Sequence, residues 1–174
     1  MASSFGPIMQ NGYVVSDVER AVAHWTGVVG VGPFFLFEPV RFNSCWFRGR
    51  PVDLQLSVAI AYWGDLQIEL ISQHGAEPSI YSDFTRQGLS GLQHVGVMTD
   101  SVPDHLARLA QRGITAVQYG ETQAGARFAY LDTDAHPGGM IELIESSPVM
   151  TKVFDRIRAA AHDWDGTQPL RRMG

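Results

Sequence analysis

Gln10, Glu69, His94 and Glu142 are side chains able to ligate a metal or move a proton, and they fall at matched places in a pattern that occurs twice. Each copy opens on a strand-like segment, around Gln10 in Met9–Asp17 and around His94 in Gln93–Asp100, that runs into an acidic helix start. Each copy closes on the same phrase, Ile68-Glu69-Leu70-Ile71 in one and Ile141-Glu142-Leu143-Ile144 in the other. Side chains alternate along a strand, so Glu69 shares a face with Gln67 and Ile71 and points away from Ile68 and Leu70. An isolated glutamate there would be a solvated sheet residue. A repeat that ends twice on the same residue argues for one site built from both copies, because a sheet curled about a two-fold axis brings all four side chains to one concave face. One imidazole nitrogen, two carboxylates and an amide oxygen form a ligand set suited to Zn²⁺, Ni²⁺, Co²⁺, Mn²⁺ or Fe²⁺.

The elements that must position these residues are read from periodicity. Ile8–Val15 is β-branched and apolar, and Ser16-Asp17 supplies a cap for a helix over Val18–Trp25 that ends near Thr26-Gly27. Strands are expected at Phe34–Phe37, Asp53–Tyr62 and Leu66–Ser72, the last two joined by the turn Trp63-Gly64-Asp65. The second copy repeats the order, with strands at Leu92–Met98, Thr115–Tyr119, Arg127–Leu131 and Met140–Ile144 and a helix over Val102–Arg112. The organisation is therefore a βαβββ module over 8–72, a linker with a short helix over 73–91, a second βαβββ module over 92–146, and a helical extension over 147–174. Val149–His162 is amphipathic, with Val149, Val153, Phe154, Ile157 and Ala160 on one face, and no strand is expected after Glu145. That apolar face suggests packing across the sheet or onto a second copy, hence a homodimer.

Composition narrows the classes. A net charge of −5 with 45% apolar residues gives no electrostatic reason to expect nucleic acid or an anionic membrane. Arg41, Arg48 and Arg50 cluster too sparsely for a polyanion, although one of them is a candidate for holding a substrate carboxylate. The single cysteine, Cys45, excludes a thiolate-rich zinc site and fits a reducing cytoplasm. Met1–Pro7 has no leader character, and no apolar run approaches the roughly 18 residues of a membrane span. His24, His74, His105, His136 and His162 have no matched partner and are expected to make local contacts. Phe34, Phe35, Phe37, Trp46, Phe47, Tyr62 and Trp63 are expected in the core, and their concentration in the first copy favours an apolar or ring-containing ligand. There is no nucleophile elbow, phosphate loop or dinucleotide fingerprint.

On Gln10, Glu69, His94 and Glu142, and on the segments Gly91–Gly96 and His136–Leu143, the chain resembles the vicinal-oxygen-chelate superfamily of glyoxalases, methylmalonyl-CoA epimerases, extradiol dioxygenases and bleomycin-resistance proteins. The resemblance spans about Ile8–Ile144 and implies an α+β fold in which two βαβββ modules form an open, incomplete barrel around a divalent ion. The ligand set is most similar to glyoxalase, where carboxylates at the positions of Glu69 and Glu142 act as ligands and as proton carriers. The linker looks more like the epimerase branch, yet the strand Leu54–Ala61 has no glutamate where that branch places its base. The resemblance thus implies a metal-dependent isomerase or lyase moving a proton beside a polarised carbonyl of a small substrate, with Glu142 favoured over Glu69 as base because it follows the turn His136–Gly139. A drug-sequestering protein of the bleomycin-resistance type is the alternative.

Overall fold

The structure is a computed structural model that describes residues 5–133 and 135–173. Met1–Ser4, part of the segment read for a leader, Asp134 in the turn before Gly139, and Gly174 lie outside the described residues. Eleven strands form one curled sheet: β1 (Ile8–Val14), β2 (Phe34–Val40), β3 (Phe42–Phe47), β4 (Arg50–Pro51), β5 (Gln55–Trp63), β6 (Leu66–His74), β7 (Gly91–Thr99), β8 (Ala116–Thr122), β9 (Arg127–Leu131), β10 (Met140–Glu145) and β11 (Leu170–Met173). Their order is β11-β2-β5-β6-β1-β7-β10-β9-β8-β3-β4. The two copies of the pattern meet at β1 and β7, which pair antiparallel, and each of these strands pairs parallel on its other side with the closing strand of its own copy, β6 or β10.

The convex face is covered twice in the same manner. Helix α1 (Val18–His24) buries Val18 and Val22 against Phe34, Leu36, Ala59, Ala61, Ile68 and Leu70. Helix α3 (Val102–Ala110) buries Val102 and Leu109 against Val97, Ala129, Leu131 and Leu143. Both start where a side-chain oxygen satisfies a free helical amide, Asp17 accepting from Arg20 N at 2.9 Å and Ser101 from Asp104 N at 3.3 Å. Helix α2 (Ile80–Arg86) begins on a Ser79–Ser82 capping box in the linker.

Three elements depart from the sequence expectation. The first helix does not stop at Gly27; it continues through a π-helical turn, Trp25–Val29, and ends at Gly30, whose φ of 79° suits glycine. The stretch after Val40 is not a loop but the β3–β4 hairpin, turned at Arg48-Gly49 with φ values of 48° and 75°. It leaves its own half and pairs with β8 of the other, so the first copy is not a simple βαβββ unit. The chain also has a strand after Glu145: β11 runs parallel to β2 at the sheet edge.

Helix α4 (Pro148–Ala161) lies within the chain. Ile157 is fully buried, Val153, Phe154 and Ala160 pack against the concave-face core, and Arg158 sits over the Tyr62 ring at 4.7 Å. Most of its apolar face is thereby used, and it supplies no argument for a second subunit. No helix among the described residues is long and apolar enough to cross a membrane.

Candidate functional site

Register builds the site. In the antiparallel β1–β7 pair, Gly12 stands opposite His94 and Gln10 opposite Gly96. In the flanking parallel pairs, Glu69 stands beside Gly12 and Glu142 beside Gly96. Each half thus contributes the same trio: a ligand-type residue, a glycine two positions later, and a glutamate next to that glycine. The glycines are required by space rather than by backbone conformation. A Cβ on Gly12 would lie 2.0 Å from Cε1 and 2.1 Å from Nε2 of His94, and one on Gly96 would lie 2.8 Å from Gln10 Oε1. Each central ligand therefore lies over the bare backbone of the opposite copy.

The structure brings three of the four residues together, and the fourth, Gln10, lines the same cavity as Glu69 and Glu142. Ligand atoms of Glu69, His94 and Glu142 all lie within 4.8 Å of one another. His94 is fully buried, and its Nε2 is 3.5 Å from Glu69 Oε2 and 3.4 Å from Glu142 Oε2, ion-pair distances too long for a well-formed hydrogen bond. Its Nδ1 lies 2.7 Å from Gln93 Oε1, which is fixed in turn by the 3.3 Å contact of Gln93 Nε2 with Met140 Sδ. That network assigns the Nδ1 proton and directs Nε2 at the carboxylates. Gln10 is oriented in the same way: its Nε2 donates to Gln67 Oε1 at 2.5 Å, and Gln67 Nε2 donates to the Tyr62 hydroxyl at 3.0 Å. Gln10 Oε1 and His94 Nε2 are left buried without hydrogen-bond partners.

Electrostatics sharpen the picture. Burial alone would lower the His94 pKa, but the carboxylates of Glu142 and Glu69 beside its Nε2 prevail and push it up to about 9. Burial pushes the Glu69 carboxyl above its usual range, opposed by His94 and reinforced by Glu142. Two carboxylates sharing a dry site need a cation, and without an ion the imidazolium is that cation. The residues also fit a divalent ion: an unpartnered amide oxygen and imidazole nitrogen converge with two carboxylates, and at coordination distances of about 2.0–2.2 Å such donors stand no more than about 4.4 Å apart, close to the observed spread.

These residues open onto a cavity of about 260 Å³ on the concave face, lined by Gln10, Glu69 and Glu142 at its polar end. The rest is mostly apolar. Leu56, Val58 and Ile60 of β5 and Ile71 and Ile144 form walls, and Val149, Met150, Val153 and Phe154 of α4 form the roof. Among the described residues no carboxylate other than Glu69 and Glu142 lines it. Ser57 turns to the convex face, where its hydroxyl lies 2.5 Å from Glu38 and 2.6 Å from His74 Nε2.

Several expectations need correction. Of the seven aromatics singled out in the first copy, only Phe37 reaches the cavity; its other rings are Phe42, Tyr81, Phe128, Tyr130 and Phe154. Trp46 and Trp63 are exposed. None of Arg41, Arg48 and Arg50 lines it either; Arg48 pairs with Asp83 at 2.9 Å, whereas Arg127 stands at the rim, 3.6 Å from both Glu121 and Glu145. His74 belongs to β6 rather than to a loop. Sequence reasoning missed Tyr81 and Tyr130, whose hydroxyls are 2.8 Å apart beside the carboxylates and whose acidities are strongly suppressed, chiefly by burial and then by Glu142. It also missed Gly12 and Gly96, although both stand in the segments that carry the repeat.

The chain forms an open barrel of two paired modules around a buried His–carboxylate cluster, and the family follows from sequence. The model of the Glyoxalase/Bleomycin resistance protein/Dioxygenase superfamily matches residues 9–130, and the chain belongs to that superfamily. The match includes Gln10, Glu69 and His94 and stops short of Glu142. Among solved structures, methylmalonyl-CoA epimerase from Mycobacterium tuberculosis is similar at a TM-score of 0.58 and 17% identity, over 87% of this chain and 95% of that one. A hypothetical protein from Bacillus halodurans aligns at 0.56 and 15% identity, over 81% and 94%. A variant of the Streptomyces coelicolor epimerase in complex with 2-nitronate-propionyl-CoA aligns at 0.51 and 16%, over 83% and 96%. At these identities the likeness is one of fold. No curated protein matches the chain in sequence.

Proposed function

We propose that the chain is a divalent-metal-dependent isomerase or lyase that moves a proton beside the carbonyl of a small, largely apolar substrate. The observation that carries this reading is the cluster of Glu69, His94 and Glu142 ligand atoms within 4.8 Å of one another, with Gln10 Oε1 and His94 Nε2 buried and unpartnered, beside an apolar cavity that Gln10, Glu69 and Glu142 line. Those four residues would hold the ion, which as a Lewis acid makes the C–H next to a carbonyl more acidic. Among the described residues Glu69 and Glu142 are the only carboxylates in the cavity wall, so proton transfer falls to one of them. Glu142 is the better candidate, because it follows the turn ending at Gly139 while Glu69 lies in the middle of the long β6 strand. Gln93 and Gln67 keep His94 and Gln10 oriented. The walls and the α4 roof exclude water from the reacting carbon and favour hydrocarbon or aromatic groups.

The test is solvent-deuterium exchange into small apolar aldehydes and ketones by the zinc-, nickel- or manganese-loaded protein. Exchange is expected in the wild type. Glu142→Gln should retain metal, since an amide oxygen still coordinates, while exchange falls by at least about 100-fold. Undiminished exchange in that variant would transfer the role to Glu69. Metal uptake with no exchange on any such compound would favour a sequestering protein instead.

A further inference from the structure

Tyr81 comes from the linker helix α2 and Tyr130 from β9, where it stands opposite Glu142 in register. Both rings line the cavity, both are 3% exposed, and Tyr130 meets the His94 ring edge-on at 5.0 Å. Their hydroxyls are 2.8 Å apart and share one hydrogen bond. Two neutral phenols carry two protons, and their mutual bond uses only one. Among the described residues no backbone or side-chain group accepts the second. A hydroxyl proton held in a dry apolar wall is costly to leave unused.

We infer that the Tyr81–Tyr130 pair is a ligand-positioning donor: its spare O–H binds an acceptor oxygen of the substrate, which selects uncharged apolar compounds bearing a carbonyl or ether oxygen over hydrocarbons of the same shape. The inference takes from the proposed function only that the cavity is the substrate site. The surroundings support an acceptor rather than a donor. Gln10 Oε1, Glu69 and Glu142 already crowd the polar end with acceptor oxygens, and the phenol pair is the cavity's neutral donor beside them. Of the remaining polar lining, Arg127 lies between Glu121 and Glu145, and the Thr122 hydroxyl, which accepts from Ala126 N and keeps its own O–H, is only half-buried at the end of β8, whereas the phenol pair is buried. The pair also has redundancy. If either tyrosine loses its hydroxyl, the other keeps a proton that it no longer shares.

The experiment uses two probes of matched shape, acetophenone and α-methylstyrene, which differ in that only the first has an acceptor oxygen. Binding to the full chain is measured by calorimetry, and the carbonyl stretch of bound acetophenone by infrared difference spectroscopy, both after EDTA treatment so that no metal polarises the carbonyl. In the wild type, acetophenone should bind about 3- to 10-fold more tightly than α-methylstyrene, the worth of one net hydrogen bond, with its carbonyl band shifted down from its position in hexane. Tyr81→Phe and Tyr130→Phe alone should keep most of that preference and shift. The double variant should lose both while binding α-methylstyrene as before. A merely structural pair would weaken both probes in parallel. The inference is overturned if the double variant retains the shift and the preference, if both probes weaken together, or if folded wild type binds neither probe. Because the readouts are taken without metal, they stand or fall separately from metal uptake and proton exchange.

Discussion

Strand β6 carries one member of each of two His–carboxylate clusters, Glu69 on its concave face and His74 on its convex face, and the clusters behave as opposites. On the convex side, His74 and Glu38 are 48% and 37% exposed. The Ser57 hydroxyl bridges them, and together with Arg172 it holds the Glu38 carboxyl below its usual range. Every charge there has a partner or water. On the concave side, His94 is fully buried, Glu69 and Glu142 are 14% and 9% exposed, and two donor atoms have no partner. The residue types are alike; burial separates a solvated surface network from a site that demands a cation. An exposed cluster contributes little, whereas a buried one with unmet coordination is expensive unless something binds there.

The largest effect that breaks this contrast is steric. Gly12→Ala drives a methyl into the His94 imidazole, so it should destabilise the fold by about 1–3 kcal/mol and reduce zinc uptake, as measured by chemical denaturation and metal analysis. Gly96→Ala, which meets the end of Gln10, should do the same more weakly. Equal stability and equal zinc content in Gly12→Ala would show that the ring has room to move.

A second test uses pH. With its pKa pushed up to about 9, His94 must lose a proton before it can ligate, so apparent zinc affinity should rise about tenfold per unit of pH below 9 and level off above it. Stability of the metal-free protein runs the other way. The folded pKa lies above the unfolded value of about 6.5, so the contribution of His94 is complete below about 6.5 and is lost as pH rises through about 9. Zinc titrations and thermal melts of EDTA-treated protein across this window check both signs; a zinc affinity independent of pH would contradict the protonated, carboxylate-paired imidazole.

The smallest effect belongs to the convex cluster. His74→Ala should change stability by no more than about 0.5 kcal/mol in denaturant melts. A loss several times larger would mean that exposure does not separate the two clusters.

The two sides were unequally legible. Gln10, Glu69, His94 and Glu142 could be picked out because the chain repeats itself around them, and strand alternation placed Glu69 on one face with Gln67. The glycines that make room for Gln10 and His94 were printed beside them, but a glycine in a strand signals close approach only once its opposite strand is known. Tyr81 lies in the linker helix, and Tyr130 on β9 has Ile60 rather than a tyrosine as its counterpart opposite Glu69, so only the curl of the sheet brings their hydroxyls together. The β3–β4 hairpin escaped notice because it pairs with the other half of the molecule, although Gly49 after the aromatic-rich stretch Phe42–Phe47 was a turn signal. β11 was missed because four residues at a sheet edge have too short a pattern to register.

The central claim is that the concave cluster, and not its convex counterpart, holds one divalent ion. It is tested most directly by the zinc content of the reconstituted, desalted full chain, measured by elemental mass spectrometry for wild type, His94→Ala and His74→Ala in parallel. About one zinc per chain is expected in wild type and in His74→Ala, with a loss of at least about tenfold in His94→Ala. Equal zinc in all three proteins, or none in the wild type, would contradict it.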